Sequence, residues 1–205
     1  MARPDLIAPI AAAGVFLAAA FGPAMAEPAA APAAEAAPSG GSGEKAVELD
    51  RLFAALKTAP NEAAGRAIED RIWRRWMQAP DRRTENLVRE AMARREVYDF
   101  AGARALLDEA VAGAPRYAEA YNQRGFVLFL QEDFDAALAD VDRAIELEPR
   151  HFAAMAGRAL ILMRQGRHRL AQTQLRRAVE IHPFLKERGL IVGEPAKPAR
   201  PGVDL

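Results

Sequence analysis

Residues 118–151 read AEAYNQRGFVLFLQEDFDAALADVDRAIELEPRH, and this stretch decides the fold. Its apolar residues recur three and four apart, as in Ala137, Val141 and Ala144, which is the spacing of one helix face. Asp133 stands before the second apolar run, where its carboxylate can cap a helix start. Pro149 stands after that run, where it stops a hydrogen-bonded turn. The stretch therefore predicts two helices joined by a tight turn.

The pattern repeats on both sides. Pro115, Pro149 and Pro183 are spaced by 34 residues. Aligning on the prolines superposes Ala91, Gly125 and Ala159, all small. It also superposes Ala103, Ala137 and Ala171, and Ala110, Ala144 and Ala178. Small side chains at fixed intervals mark where two helix backbones approach closely. Phe100, Phe134 and His168 share a position beside the turn, as do Leu107, Val141 and Leu175. A 34-residue helix–turn–helix period is the sequence sign of a helical repeat array. No segment alternates like a strand.

On Tyr121, Gly125, Phe134, Ala137, Ala144 and Pro149, the chain resembles the tetratricopeptide-repeat (TPR) family. Three units follow, at 84–117, 118–151 and 152–185; the third departs at Ala159 and His168, and the first keeps Leu87 and Ala91. The resemblance implies an all-α solenoid of stacked hairpins and a binding role, since family members are mostly adaptors and scaffolds. It also implies that positions two, five, nine and twelve of each first helix face a concave groove. Those are Glu85, Val88, Met92 and Arg95, then Glu119, Asn122, Phe126 and Phe129, then Ala153, Ala156, Leu160 and Met163. The set is apolar for a surface, and it points to an apolar or amphipathic protein segment laid in as a helix. One family branch grips an acidic C-terminus with a lysine, arginine and asparagine clamp; only Asn122 matches, and Ala156 and Leu160 do not. The alternative is self-filling, by the chain's own N-terminal helices, its tail or a second copy.

Upstream, residues 44–83 have the size of another hairpin but lack the signature. Leu49, Leu52, Phe53 and Leu56 would line one helix, and Ile68, Ile72, Trp73 and Trp76 the next. The reading is an atypical N-terminal cap, with the tryptophans in the core. Residues 27–43 are Ala, Pro, Gly and Ser with little else, a flexible linker. Residues 189–205 carry Pro195, Pro198 and Pro201 and read as a flexible tail. Residues 1–26 read as a secretory signal: Arg3, an apolar run from Leu6 to Phe21, then Ala24-Met25-Ala26 for cleavage after Ala26. That run falls short of the roughly 20 residues that span a bilayer. The expected location is the bacterial periplasm.

Charge and chemistry exclude other classes. Formal net charge over the 205 residues is zero, which argues against a nucleic-acid binder. Yet residues 105–149 carry ten acids against three bases, and residues 150–188 carry nine bases against two acids. This predicts attraction across the unit junction, or a basic face for an acidic partner. There is no cysteine, and Ser39 and Ser42 lie in the linker, so the usual nucleophile–base pairs are missing. His151, His168 and His182 fall near turns with no third ligand in view, so neither a metal nor a cofactor is expected. No Gly-rich phosphate loop is present. The reading is a non-catalytic scaffold.

Overall fold

The structure, a computed structural model, describes residues 42–193. The expected signal segment, most of the linker and residues 194–205 lie outside the described residues. Eight helices follow one another: α1 Ser42–Lys57, α2 Glu62–Trp76, α3 Arg82–Glu96, α4 Phe100–Gly113, α5 Ala118–Leu130, α6 Phe134–Leu147, α7 Phe152–Arg164 and α8 His168–Ile181. A short 3-10 helix, Lys186–Leu190, closes the described chain. No strand occurs among the described residues. The fold is all-α, and α3–α4, α5–α6 and α7–α8 pair as the three expected hairpins.

The 34-residue period is visible atom by atom at both ends of these hairpins. Each first helix ends on a residue in the left-handed region: Tyr98 (φ 63°), Glu132 (φ 63°) and Gly166 (φ 74°). The next amide then reaches back to the carbonyl of Arg94, Leu128 or Leu162, at 2.9, 3.0 and 2.8 Å. This closure satisfies carbonyls that a helix end leaves orphaned. Each second helix ends with an amide bonded to Ala110, Ala144 or Ala178, one residue before the turn proline. Asp99 and Asp133 cap the starts of α4 and α6, accepting from Gly102 N at 2.9 Å and Ala136 N at 3.4 Å.

Close approach within a unit explains the small residues. A Cβ at Gly125 would lie 2.9 Å from Val141 Cγ1 and 3.3 Å from the Ala137 carbonyl oxygen. Ala91, Ala103, Ala137, Ala159 and Ala171 are all fully buried. Between units, Arg124 of α5 ties three helices: it donates two bonds of 2.7 Å to Asp140 in α6 and one of 3.0 Å to Asp108 in α4. These two carboxylates hold the Arg124 guanidinium well above its ordinary pKa. The acidic and basic units meet through Arg158–Asp142 at 2.5 Å and Arg164–Glu132 at 3.1 Å, the attraction expected across that junction.

The N-terminal hairpin departs from simple stacking. Met77–Asp81 leads directly from α2 to α3, yet α1 packs on α8, at the other end of the repeat array. Leu52, Phe53, Leu56, Ile72, Trp73 and Trp76 bury in one cluster with Phe126, Phe129, Phe152, Ala153 and Ala156. Lined up on the end of the stack, a cap would have met α3 instead. The described part of the tail also differs from a flexible segment. Gln172 of α8 donates to Leu190 O and accepts from Val192 N, both at 2.9 Å, so residues 190–192 run along α8.

Candidate functional site

The expected groove positions are all in place on α3, α5 and α7, but none of the nine predicted partner contacts is exposed. Val88, Met92, Arg95, Asn122, Phe126, Phe129 and Ala156 are buried; Leu160 and Met163 are half-buried. Val88 and Met92 pack with Leu107 and Val127 in the core between the first two units. Phe126, Phe129, Ala156 and the edge of Leu160 belong to the cluster that holds α1 and α2. An open apolar patch, as the sequence suggested, is therefore not what the surface shows. The reason is tertiary: much of that face is covered by α1 and α2, helices far upstream in the chain.

Aromatic rings form the centre of this contact. Trp76 stacks on His151 with ring centroids 4.0 Å apart and planes 16° off parallel. Trp76 also meets Phe152 at 4.9 Å, and Trp73 meets Phe152 edge-on at 6.3 Å. Phe152 in turn meets His182 at 4.7 Å. Gly65 allows α2 to come close to the C-terminal segment, since a Cβ there would lie 2.5 Å from Phe184 Cδ2. At the rim, Arg150 pairs with Asp50 at 2.7 Å while covering the Phe53 ring at 4.3 Å. Arg188 pairs with Glu62 at 3.3 Å. The apolar side chains dominate: each of the six buried in α1 and α2 contributes about 1.5–3 kcal/mol on removal from water, while solvated rim pairs contribute little. The rim charges set orientation.

Beneath the tryptophans lies a buried polar chain that sequence reasoning did not assemble. Glu119, 1 % exposed, accepts from Gln123 Nε2 at 2.6 Å and Asn122 Nδ2 at 3.2 Å, and faces His151 Nε2 at 3.0 Å. Arg95 donates to Gln123 at 2.5 Å and lies over the Phe126 ring, and burial pulls its pKa down. His151 Nδ1 accepts from Ala154 N at 3.3 Å, capping α7. That bond requires a lone pair on Nδ1, so the neutral tautomer carries its proton on Nε2, aimed at Glu119. His182 repeats the arrangement: its Nδ1 accepts from Phe184 N at 3.3 Å. Its Nε2 lies 3.1 Å from Glu69 of α2, close but without hydrogen-bond alignment. The sequence signal was present in part. Glu119 and Asn122 were polar at groove positions among apolar neighbours, and His151 followed a unit's last proline.

Some polar atoms in this region stay unmatched. Trp76 Nε1, Tyr117 Oη and Asn122 Oδ1 are buried with no hydrogen-bond partner among the described residues. Burial beside Glu119 and Glu85 drives the Tyr117 phenol pKa strongly upward. Glu187 is also buried with both oxygens unmatched; burial first, and then nearby Glu69, raise its pKa. No group of three metal-ligating side chains occurs among the described residues, and no described helix is long and apolar enough to cross a membrane. The chemistry of the arrangement is apolar burial, aromatic stacking and charge pairing within the chain.

The hairpin register, the closing turns and the buried face of the first helices α3, α5 and α7 (the helix-A face) define a helical-repeat solenoid. Residues 118–151 match the tetratricopeptide repeat family model. No curated protein matches the chain. A solved structure, that of a point mutant of MamA, is similar over 67 % of this chain and 96 % of its own, at 20 % identity and a TM-score of 0.45.

Proposed function

We propose that this protein is a non-catalytic scaffold of the bacterial envelope that holds a protein partner by laying an amphipathic helix against α5 and α7. One observation carries this reading: the helix-A face already holds helices, with Trp73 and Trp76 set among His151, Phe152 and Ala156. A face that seats one amphipathic helix pair has the shape and chemistry to recognise another. The acidic–basic division adds orientation, since Arg150 and Arg188 line one rim. Export is part of the proposal, with cleavage after Ala26 and Glu27 as the mature N-terminus.

A photo-crosslinking residue at half-buried Leu160, expressed in the native host, tests the reading. The expected product is a specific adduct with another envelope protein, absent when the same residue replaces Gln172 on α8. Adducts formed only between copies of this chain would favour the self-associating alternative and refute the scaffold. N-terminal sequencing of the purified mature protein should begin at Glu27; a chain retained in the cytoplasm with Met1 intact would refute the location.

A further inference from the structure

We propose that α1–α2 is a displaceable resident of the helix-A face, and that the partner is an amphipathic helix presenting two aromatic side chains three residues apart and carboxylates at its rim. This rests on the binding reading above and names its regulation and partner chemistry. The resident shows what the face accepts. Trp73 and Trp76 enter among His151, Phe152 and His182, with Glu69 one turn earlier facing His182. Asp50 and Glu62 meet Arg150 and Arg188 at the rim. The receiving segment, residues 150–188, carries nine bases against two acids, so carboxylates placed at the guest's rim are complementary to it.

Two features make the resident replaceable. First, the hairpin can leave without dismantling the stack. The core between the first two units, and that of Ala159, Leu162, Ala171 and Leu175, contain no residue of α1 or α2. Residues 77–81 link α2 to α3, and the two helices do not pack extensively on each other. Second, the resident fits imperfectly. Trp76 Nε1 of the resident and Asn122 Oδ1 of the helix-A face stay buried and unmatched. A guest that offers Asn122 a donor recovers what the resident forfeits, and gains over it accordingly.

The test uses the full chain, whose lack of native cysteine makes an engineered disulfide unambiguous. A Cβ at position 65 falls 3.0 Å from Phe184 Cγ, so Gly65→Cys with Phe184→Cys brings two thiols within bonding reach. The probe is a fluorescein-labelled peptide of residues 45–77, with its Trp73→Ala/Trp76→Ala version as control. Two opened chains accompany it, Trp73→Ala/Trp76→Ala and Asp50→Arg/Glu62→Arg, each checked for helical circular dichroism. The charge variant lies at the solvated rim and keeps the core intact. Affinity of a covered site falls by the fraction of chains that are open. The Trp73→Ala/Trp76→Ala chain should therefore bind the probe at least about tenfold tighter than the wild type, and the charge-reversed chain tighter than the wild type by a smaller factor. The oxidised double-cysteine chain should bind at least about tenfold more weakly than its reduced form. Folded opened chains that ignore the probe would overturn the binding reading itself. Opened chains that bind, with no difference between oxidised and reduced double-cysteine chains, would leave that reading standing and overturn displacement. Equal binding of the control peptide would overturn the paired-aromatic requirement.

Discussion

Replacing Gly125 with alanine should destabilise the protein, against the ordinary preference of helices for alanine. Glycine to alanine inside a helix normally gains about 1 kcal/mol. Here the new Cβ would meet Val141 Cγ1 at 2.9 Å, the Ala137 carbonyl oxygen at 3.3 Å and Asp140 Cβ at 3.4 Å. Carbon atoms prefer about 3.5–4.0 Å. Val141 is fully buried and β-branched, so it has little rotamer freedom to retreat. Overpacking of this kind costs about 1–3 kcal/mol, leaving a net loss of about 1 kcal/mol once the helix gain is subtracted. In a Val141→Ala background the nearest atom is gone, and the same Gly125→Ala change should become neutral or stabilising by about 0.5 kcal/mol. The two substitutions should thus couple by about 1.5 kcal/mol, within the range for touching residues. Urea denaturation of the four full-length chains, followed by circular dichroism, measures the cycle. Gly113→Ala, whose Cβ meets nothing within 4 Å, is the control and should stabilise by about 0.5–1 kcal/mol. If Gly125→Ala stabilised like the control, or showed no coupling to Val141, close helix approach would not be what the recurring small residues provide.

Three further outcomes follow from the geometry. Asp140→Ala should cost about 2–4 kcal/mol, because it strands the Arg124 guanidinium; Asp108→Ala, at the more exposed partner, should cost under about 1 kcal/mol by the same urea assay. Tyr98 occupies the left-handed turn position that Gly166 fills in the third unit, so in urea denaturation Tyr98→Gly should raise the unfolding free energy and Gly166→Ala lower it, each by about 1 kcal/mol. Glu187 has a raised folded pKa, so its favourable contribution is complete below the ordinary value of 4.5 and is lost as pH rises through the folded value. The melting temperature of Glu187→Gln relative to wild type should therefore increase with pH across that interval, and a constant difference would refute the assignment.

The stacked hairpins were legible because their determinants are local. Pro115, Pro149 and Pro183, the small residues at Ala91, Gly125 and Ala159, and the caps Asp99 and Asp133 all act within one 34-residue unit. The turn closure was only partly legible: Gly166 advertises a left-handed residue, while Tyr98 and Glu132 adopt the same conformation under tertiary constraint. The burial of the helix-A face was legible only as the self-filling alternative, without its contacts. It depends on pairs such as Asp50–Arg150 and Glu62–Arg188, separated by 100 and 126 residues, and no spacing rule reaches that far. A long separation in sequence also hid the stack of Trp76 on His151. Read locally, those two residues were a core tryptophan and a turn histidine.

The placement of α1–α2 against the helix-A face is most directly tested by nuclear Overhauser spectroscopy on the full chain, which has only two tryptophans. A Trp73→Phe variant assigns the remaining indole to Trp76. The account predicts cross-peaks from the Trp76 ring to the imidazole of His151 and the ring of Phe152. A Trp76 indole with cross-peaks only to α1 and α2, in a protein whose repeats are folded, would contradict it.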